Sequence, residues 1–561
     1  MLRSRAMPET ILVCVAWPYA NTPLHAGQVA GSYLPADIFA RYHRMKGNRV
    51  LMVSGSDSHG TPVTIVAEQE GTTPEAIFER SHQSFLDTFD GFGIDFDLFT
   101  HTDTENHIET SQDIFNRLVE RGFIYEAEQT MLYDPQVRRF LPDRYVEGTC
   151  PYCGYEDARG DQCDDCGRPV DALELGNPRS KLSDATPEPR DTKHFFLKLS
   201  AFNEQLKEWV SAQDHWRPAV KNFTLGMLDE GLHDRAITRD IEWGVPVPME
   251  GYEAKRIYVW FEAVIGYLSA TKEWFATNDD PDGWEAFWKD PAAKTVYFQG
   301  KDNITFHTLI WPMMLLGYEG LNVPYDVPAN QYLTMGQRQL SSSRNWAVWM
   351  PDYLDRHDPD PLRYMLTAIM PETSDSDFTW QEYVRRNNDE LLARWANLVH
   401  RVMTLTRRNF DDRVPEPPAE LAPESTALLA SVDAAYDVVG GEIEAVHMRA
   451  ALTAAMGIAR EANQYLDERE PWKAVKTDRD SAAETLYVAV NVVSGIATLL
   501  QPFLPFTSPQ AWAFAGNEGD IQAAGWLRSE IAPGTPLPEP SPLVQKLDAA
   551  LADEEEARLG Q

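Results

Sequence analysis

Apolar residues along this chain follow two rhythms, and the switches between them outline its organisation. Over residues 8–123, short unbroken apolar runs alternate with stretches in which apolar positions recur every three or four residues. Ile11 to Ala16 is such a run and reads as a fully buried strand. Val29 to Lys46 then carries Ala30, Leu34, Ile38 and Tyr42 at helical spacing. Arg49 to Ser54 predicts a second buried strand closed by Gly55, and Asp97 to His101 a third. Thr73–Phe92 and Glu105–Arg121 have helical periodicity. Alternation of this kind is the pattern of parallel βα units.

From about Ile124 the rhythm breaks. Residues 124–240 read as an irregular insert, with a strand at His194–Leu199 and helices through Trp216 and at Asn222–Leu232. The βα rhythm returns over 241–350. Strands are expected at Lys255–Trp260 and Thr295–Phe298, the second followed by Gly300-Lys301-Asp302 and a helix bearing Phe306 and His307. A linker, 351–380, holds a helix at Leu362–Ile369. Residues 381–532 then read as a helical bundle, with Leu391, Trp395, Leu398 and Val402 on one face. Breaks are expected at Val414–Pro418, Gly440–Gly441 and Pro471. A Pro-rich arm (Pro533 to Pro542) and an acidic tail (Asp553–Glu556) fill 533–561 and read as an arm and a solvated end.

At 561 residues and 43% hydrophobic content the chain exceeds one core, so three or four domains are expected. No apolar run approaches the ~20 residues of a membrane span. The opening Met1–Arg5 leads into the first strand without a signal-peptide core, and a cytoplasmic protein follows. A net charge of −36 repels phosphate and by itself disfavours a nucleic-acid partner. The alternative is an acidic adaptation that reserves its basic residues for one contact face.

The cysteines alter that picture. Cys14 lies in the first strand as apolar filler. Cys150-Pro-Tyr-Cys153 and Cys163-Asp-Asp-Cys166 are two CxxC pairs nine residues apart, with Gly154 and Gly167 just after them. Two such knuckles can hold one structural zinc through four thiolates. Two disulfides or a redox pair compete with this reading, but the compartment disfavours the first and the second needs only one pair.

The richest chemistry sits between the first strand and its helix. Pro18-Tyr19-Ala20-Asn21-Thr22-Pro23-Leu24-His25-Ala26-Gly27-Gln28 is a tight loop whose helix N-terminus points back over the strand end. Backbone N–H groups and the positive helix end converge there on an anion. Gly27 allows close approach, while His25 and Gln28 add side-chain donors. An ordinary βα turn is the competing reading. Asp57 and His59 fall at the end of the second strand, where open α/β sheets bind ligands.

Those residues resemble the class I aminoacyl-tRNA synthetases. His25 to Gln28 matches the signature known as HIGH, with Gln28 in place of its second histidine. Pro18-Tyr19-Ala20-Asn21 and Gly55-Ser-Asp57-Ser-His59-Gly60 point to the methionyl branch. Gln339-Leu340-Ser341-Ser342-Ser343 occupies the place of the second signature, KMSKS, and lacks both lysines.

The resemblance implies an α/β, Rossmann-type catalytic domain split by a zinc-bearing insert, then a helical anticodon bundle. It implies activation of methionine by ATP with Mg2+ and transfer to tRNA(Met). His25, Gly27, Gln28, Gly300, Asp302 and Ser342 would contact ATP, while Arg338, Ser341, Ser342 and Ser343 would act with His25 and Gln28 in catalysis. Asp57 would take the substrate ammonium, and Ala16, Trp17, Tyr19, Trp260, Ala263, Tyr267 and His307 would surround the methionine. Trp17 and Val264 differ from the residues the resemblance leads one to expect. Asn397, Arg401 and Trp472 would read the anticodon, although a lone Trp in a bundle is more often packing. A monomer is expected. Two other readings compete: a class I synthetase for another apolar amino acid, weakened by the short insert, and a paralogue that binds tRNA or nucleotide without activating an amino acid.

Overall fold

The computed structural model describes residues 8–141, 145–160, 163, 165, 166, 168, 170–341 and 344–560. Five strands, β1 (Thr10–Val15), β2 (Arg49–Ser56), β3 (Leu98–His101), β4 (Lys294–Gly300) and β5 (Ala329–Asn330), form one parallel sheet in the order β5-β4-β1-β2-β3. Alternate side chains of β1 leave on opposite faces. Ile11, Val13 and Val15 enter a core with the helices Leu34–Lys46 and Pro74–Phe92, whereas Leu12 and Cys14 enter a second core with Glu105–Glu120 and Gly266–Thr277. Both faces of the strand are thus covered, which is why its sequence is apolar without alternation. β1 lies between β2 and β4, so the strand order reverses there and a crevice opens at the carboxyl ends of β1 and β4.

The insert is built on a long antiparallel pair, Ile124–Asp134 with Glu188–Leu197. A small three-stranded sheet beyond it carries the cysteines and has its own core of Leu132, Leu141, Tyr145, Val146 and Leu175. Lys255–Trp260 does not form the expected strand. Only Arg256–Ile257 is extended, paired antiparallel with Thr238–Arg239, and Trp260 sits on the short helix Val259–Glu262. The helical turn buries Val259, Phe261 and Glu262 together and leaves Trp260 36% exposed at the crevice.

The expected break at Gly440–Gly441 is also absent: one helix runs Pro423–Glu444. Gly440 is there for close approach, because a Cβ on it would stand 2.7 Å from the Tyr42 hydroxyl. That hydroxyl donates to Glu444 Oε1 at 2.6 Å and fastens the bundle to the parallel-sheet domain. The other long bundle helices are Asn397–Asn409, Met448–Arg469 and Arg479–Leu500. The last has the length and apolarity of a membrane span, contrary to expectation, and is buried throughout the bundle.

Arg363, on the linker helix Pro359–Ala368, is fully buried. It donates to Asp37 at 2.6 Å and to the carbonyls of Phe92, Gly93, Pro502 and Phe503. The acidic tail is only partly the solvated end expected, for Asp553, Glu554 and Glu556 are exposed but Glu555 is not. Leu547 exchanges two hydrogen bonds of 2.9 Å with Asn388. Glu555 is 4% exposed and accepts from Arg356 at 3.0 and 2.8 Å and faces His357 at 3.1 Å. The Gly560 N–H reaches the Asn345 carbonyl at 2.9 Å, so the tail lies on the segment that follows the lysine-free loop.

Candidate active site

His25 caps a helical turn, Ala26–Gln28, through a reciprocal capping box. Its Nδ1 accepts from the Gly27 and Gln28 N–H groups at 3.2 and 3.3 Å, and its own N–H donates to Gln28 Oε1 at 3.0 Å. Burial pushes the His25 imidazole down to about 4, so the ring is neutral at physiological pH. With Nδ1 accepting, the proton of the neutral ring sits on Nε2, which becomes the donor offered to a ligand. Gln28 has its carbonyl oxygen engaged in the box, and its amide NH2 is the group on offer. The helix then opens through a wider π turn, Val29–Tyr33.

The second loop closes on the first. A Cβ at Gly27 would meet Leu340 Cδ1 at 2.4 Å, so the leucine tip occupies the space a side chain at residue 27 would need. Ala26 N–H donates to Val348 O at 2.9 Å, and the Trp349 ring stands edge-on to His25 at 5.9 Å. Ser341 and Trp346 exchange two backbone bonds of 3.0 Å, and the Arg338 guanidinium lies 5.1 Å over the Trp346 ring. Arg338 and Arg344 are exposed. Ser342 and Ser343 lie outside the described residues. Gly300 ends β4 with open space where a Cβ would stand, and the exposed Asp302 follows it in a turn, hydrogen-bonded to the Tyr332 hydroxyl.

Behind these loops lies an aromatic wall in two layers. In the outer layer Trp260 Nε1 donates to the Tyr19 hydroxyl at 2.6 Å, and Trp260 packs edge-on against Phe306 at 5.2 Å. The inner layer joins Trp17, Tyr267 and His307. The Trp17 indole is clasped between Gly55 and Gly266, where an added Cβ would come within 2.3 and 2.6 Å of it. His307 Nδ1 donates to the Asn303 carbonyl at 2.9 Å, so its Nε2 accepts from the Tyr267 hydroxyl at 2.8 Å. Burial holds this imidazole neutral as well, pushed down to about 4. The inner layer is therefore uncharged. Ala16 and Ala263 flank it, at the end of β1 and in the turn after Val259–Glu262. Asp57, 3% exposed, is tied to the first loop by Asp57 N–H to Pro18 O at 2.8 Å and Ala20 N–H to Asp57 O at 3.0 Å.

The four zinc-candidate sulfurs all lie within 4.8 Å of one another, with Cys150–Cys166 at 3.9 Å and Cys153–Cys163 at 3.6 Å. Tetrahedral Zn–S bonds of about 2.3 Å place sulfurs about 3.8 Å apart, so the donor set fits zinc with no open position. Purified protein should contain one zinc per chain. Metal analysis returning none would overturn this.

Comparison with known proteins places these features in one family. The family described as tRNA synthetases class I (M) matches residues 11–403, and the anticodon binding domain of methionyl tRNA ligase matches residues 414–560. The chain belongs to the methionyl class I tRNA synthetases. It is 52% identical to the methionine–tRNA ligase of Thermomicrobium roseum, covering 99% of each chain. It is also 52% identical to that of Dehalococcoides mccartyi, over 99% of this chain and 100% of the relative. The crystal structure of Mycobacterium tuberculosis methionyl-tRNA synthetase bound by methionyl-adenylate superposes with a TM-score of 0.80 at 26% identity, covering 96% of this chain and 100% of that one.

In this synthetase the bundle residues singled out from sequence come together. Arg401 lies 5.7 Å over the Trp472 ring and is held there by Asp467 at 3.2 Å and Asn463 at 3.0 Å. The exposed Asn397 is one helical turn before it, on the same face. Trp472 is 36% exposed at the start of the helix Pro471–Thr477, which is how a stacking platform presents itself and not how a core Trp does. If Trp472 stacks on an anticodon base, Trp472→Ala should cost about 1–3 kcal/mol and weaken aminoacylation. Pyrophosphate exchange, which needs no tRNA, should be unchanged, and equal loss in both assays would mark Trp472 as structural.

One residue escaped sequence reasoning. Arg239 lines a cleft of about 930 Å³ together with Tyr19, Trp260, Asp302 and Phe306. Its guanidinium lies 3.9 Å over the Tyr258 ring, and its Nε is buried without a partner. A single arginine in a two-residue strand has no periodicity to betray it, and only the fold brings it to the cleft.

Proposed function

We propose that this synthetase is a methionine–tRNA ligase: it joins methionine to ATP, releases pyrophosphate, and passes the methionyl group to the 3′ end of tRNA(Met). The observation that carries this reading is the meeting of the two signature loops, with Leu340 seated on Gly27 in the loop that follows β1 and also carries Trp17 and Tyr19. In the first step a methionine carboxylate oxygen bonds to the α-phosphorus of magnesium-bound ATP, and the bond to the bridging oxygen breaks. Pyrophosphate leaves with the electron pair. No protein nucleophile is required, so catalysis rests on positioning and on donors aimed at the phosphates.

His25 Nε2–H and the Gln28 amide serve as α-phosphate donors. Arg338, Arg344 and the hydroxyls of Ser341, Ser342 and Ser343 stand in for the missing lysines as pyrophosphate departs. Gly300 and Asp302 hold the adenosine, and Arg239 offers positive charge to the methionine carboxylate or the phosphate. Asp57 takes the ammonium, while Trp17, Tyr19, Trp260, Ala263, Tyr267 and His307 enclose the thioether, whose polarizable sulfur suits ring edges. Asn397, Arg401 and Trp472 meet the anticodon loop. The catalytic domain comprises 8–123 and 241–350, the insert 124–240, the linker 351–380, the anticodon bundle 381–532 and the arm 533–561, in a cytoplasmic monomer. The intact capping box argues against a non-activating paralogue, since Gln28 keeps the place and reach of a donor. Methionine-dependent exchange of pyrophosphate into ATP is the test. Wild-type protein without it, at any salt concentration, would leave the paralogue.

A further inference from the structure

Beside the methionine pocket lies a buried charged group that none of the roles above uses. Glu262 is fully buried on the short helix that carries Trp260. Its Oε1 is 2.9 Å from His59 Nδ1 and its Oε2 is 2.5 Å from His107 Nε2. The other nitrogen of His59 faces Asp103 Oδ1 at 3.4 Å. Both ring nitrogens of His59 therefore face carboxylates, an arrangement that only the doubly protonated ring satisfies. The ring packs edge-on against Trp243 at 5.4 Å and is 3% exposed, so water screens it little. His59 is two residues from Asp57, and its N–H points at Asp57 Oδ1 at 3.4 Å.

We propose that His59 is a positioning residue for methionine: its imidazolium offsets Glu262 and eases the ionisation of Asp57, so that the substrate ammonium pairs with Asp57 alone. This rests on the ligase reading above. Without His59, an arriving ammonium would meet two buried carboxylates that repel one another, and Asp57 would hold its proton still more firmly against the substrate. With the pair intact, Glu262 is silent and the ammonium has one destination.

The electrostatics agree in sign. Burial pulls His59 down, but Glu262, Asp103 and Asp57 together lift it to about 10. Burial and Glu262 raise the Asp57 carboxyl well above the usual carboxylate range even though His59 opposes both, so the arriving ammonium completes its ionisation and His59 lowers the cost of that step. Glu262 itself is held below the usual range, since His59 and His107 outweigh its burial. Asp103 contributes less to this balance because its side chain is 34% exposed. His59 thus gains stability from its proton at all pH values below about 6.5, and that gain is lost as pH rises through about 10.

The test is the pH dependence of methionine-dependent pyrophosphate exchange in the full chain. His59→Gln keeps a hydrogen-bond donor for Glu262 and removes the charge. It should raise KM for methionine about tenfold or more at pH 7 and shift the acidic limb of kcat/KM upward by about one pH unit. Part of the loss should return at pH 8.5, while kcat and KM for ATP stay within about threefold of wild type. The double variant His59→Gln/Glu262→Gln removes both charges and should bring KM and the acidic limb back towards wild type. Should the single variant fail to fold, the double variant is read alone against wild type. A methionine KM unmoved by His59→Gln, or a double variant as impaired as the single one with no recovery at high pH, would overturn the proposal. Loss of exchange in wild-type protein would instead strike the ligase reading.

Discussion

Asp57→Asn should lower kcat/KM for methionine by about 10²–10³, nearly all of it in KM. The carboxylate is 3% exposed, and an ammonium that reaches it finds little water to compete. Removing one partner of a buried, hydrogen-bonded charge pair costs about 3–4 kcal/mol. The ammonium keeps its charge from bound substrate to transition state, so the interaction is uniform and its loss appears as KM. ATP, which the proposed function assigns to Gly300 and His25 and not to Asp57, should bind with an unchanged KM. Steady-state exchange at varied methionine and ATP checks this. A fall in kcat at constant methionine KM would place Asp57 at the reacting phosphate instead.

His25→Asn should have the opposite signature: kcat down by about 10²–10³, with both KM values little changed. Donors aimed at charge that develops only in the transition state act on kcat, and one such donor commonly has this worth. Asparagine is chosen because His25 has two duties. It caps the turn Ala26–Gln28, which asparagine also does well, and it presents Nε2–H, which asparagine is too short to do. Thermal unfolding should therefore move little for His25→Asn. His25→Ala should lose both duties, adding about 0.5–2 kcal/mol of destabilisation to the same loss of rate. Equal melting temperatures for the two variants would argue against the capping role. A kcat within tenfold of wild type for His25→Asn would remove His25 from the chemistry.

What could be read from the chain was local. The apolar run of β1, the tight loop after it and the paired CxxC knuckles each span fewer than twenty residues, and each was recognisable from spacing alone. Features that depend on distant partners were not. Glu262 and His59 are 203 positions apart, and nothing in either segment announces the other. Lys255–Trp260 has the composition of a buried strand, yet tertiary packing turns its second half into helix. Gly440 looks like a helix breaker until Tyr42, some 400 residues earlier, occupies the space its side chain would need. Glu555 sits in an acidic run that reads as solvated, and Arg356 and His357 bury it.

The docked tail has a consequence for how the protein is made. A nascent chain leaves the ribosome N-terminus first, at about 5–20 residues per second, and its domains fold largely in that order. Both halves of the sheet, and both signature loops, have emerged once residue 350 is out. The contacts of Glu555 with Arg356 and His357, and of Gly560 with Asn345, close only when residues 555–560 have emerged. The segment behind the second loop thus lacks these supports until residue 560 has emerged. A chain stalled before the helix Ala550–Glu556 would display a folded bundle beside a second loop still without its anchor.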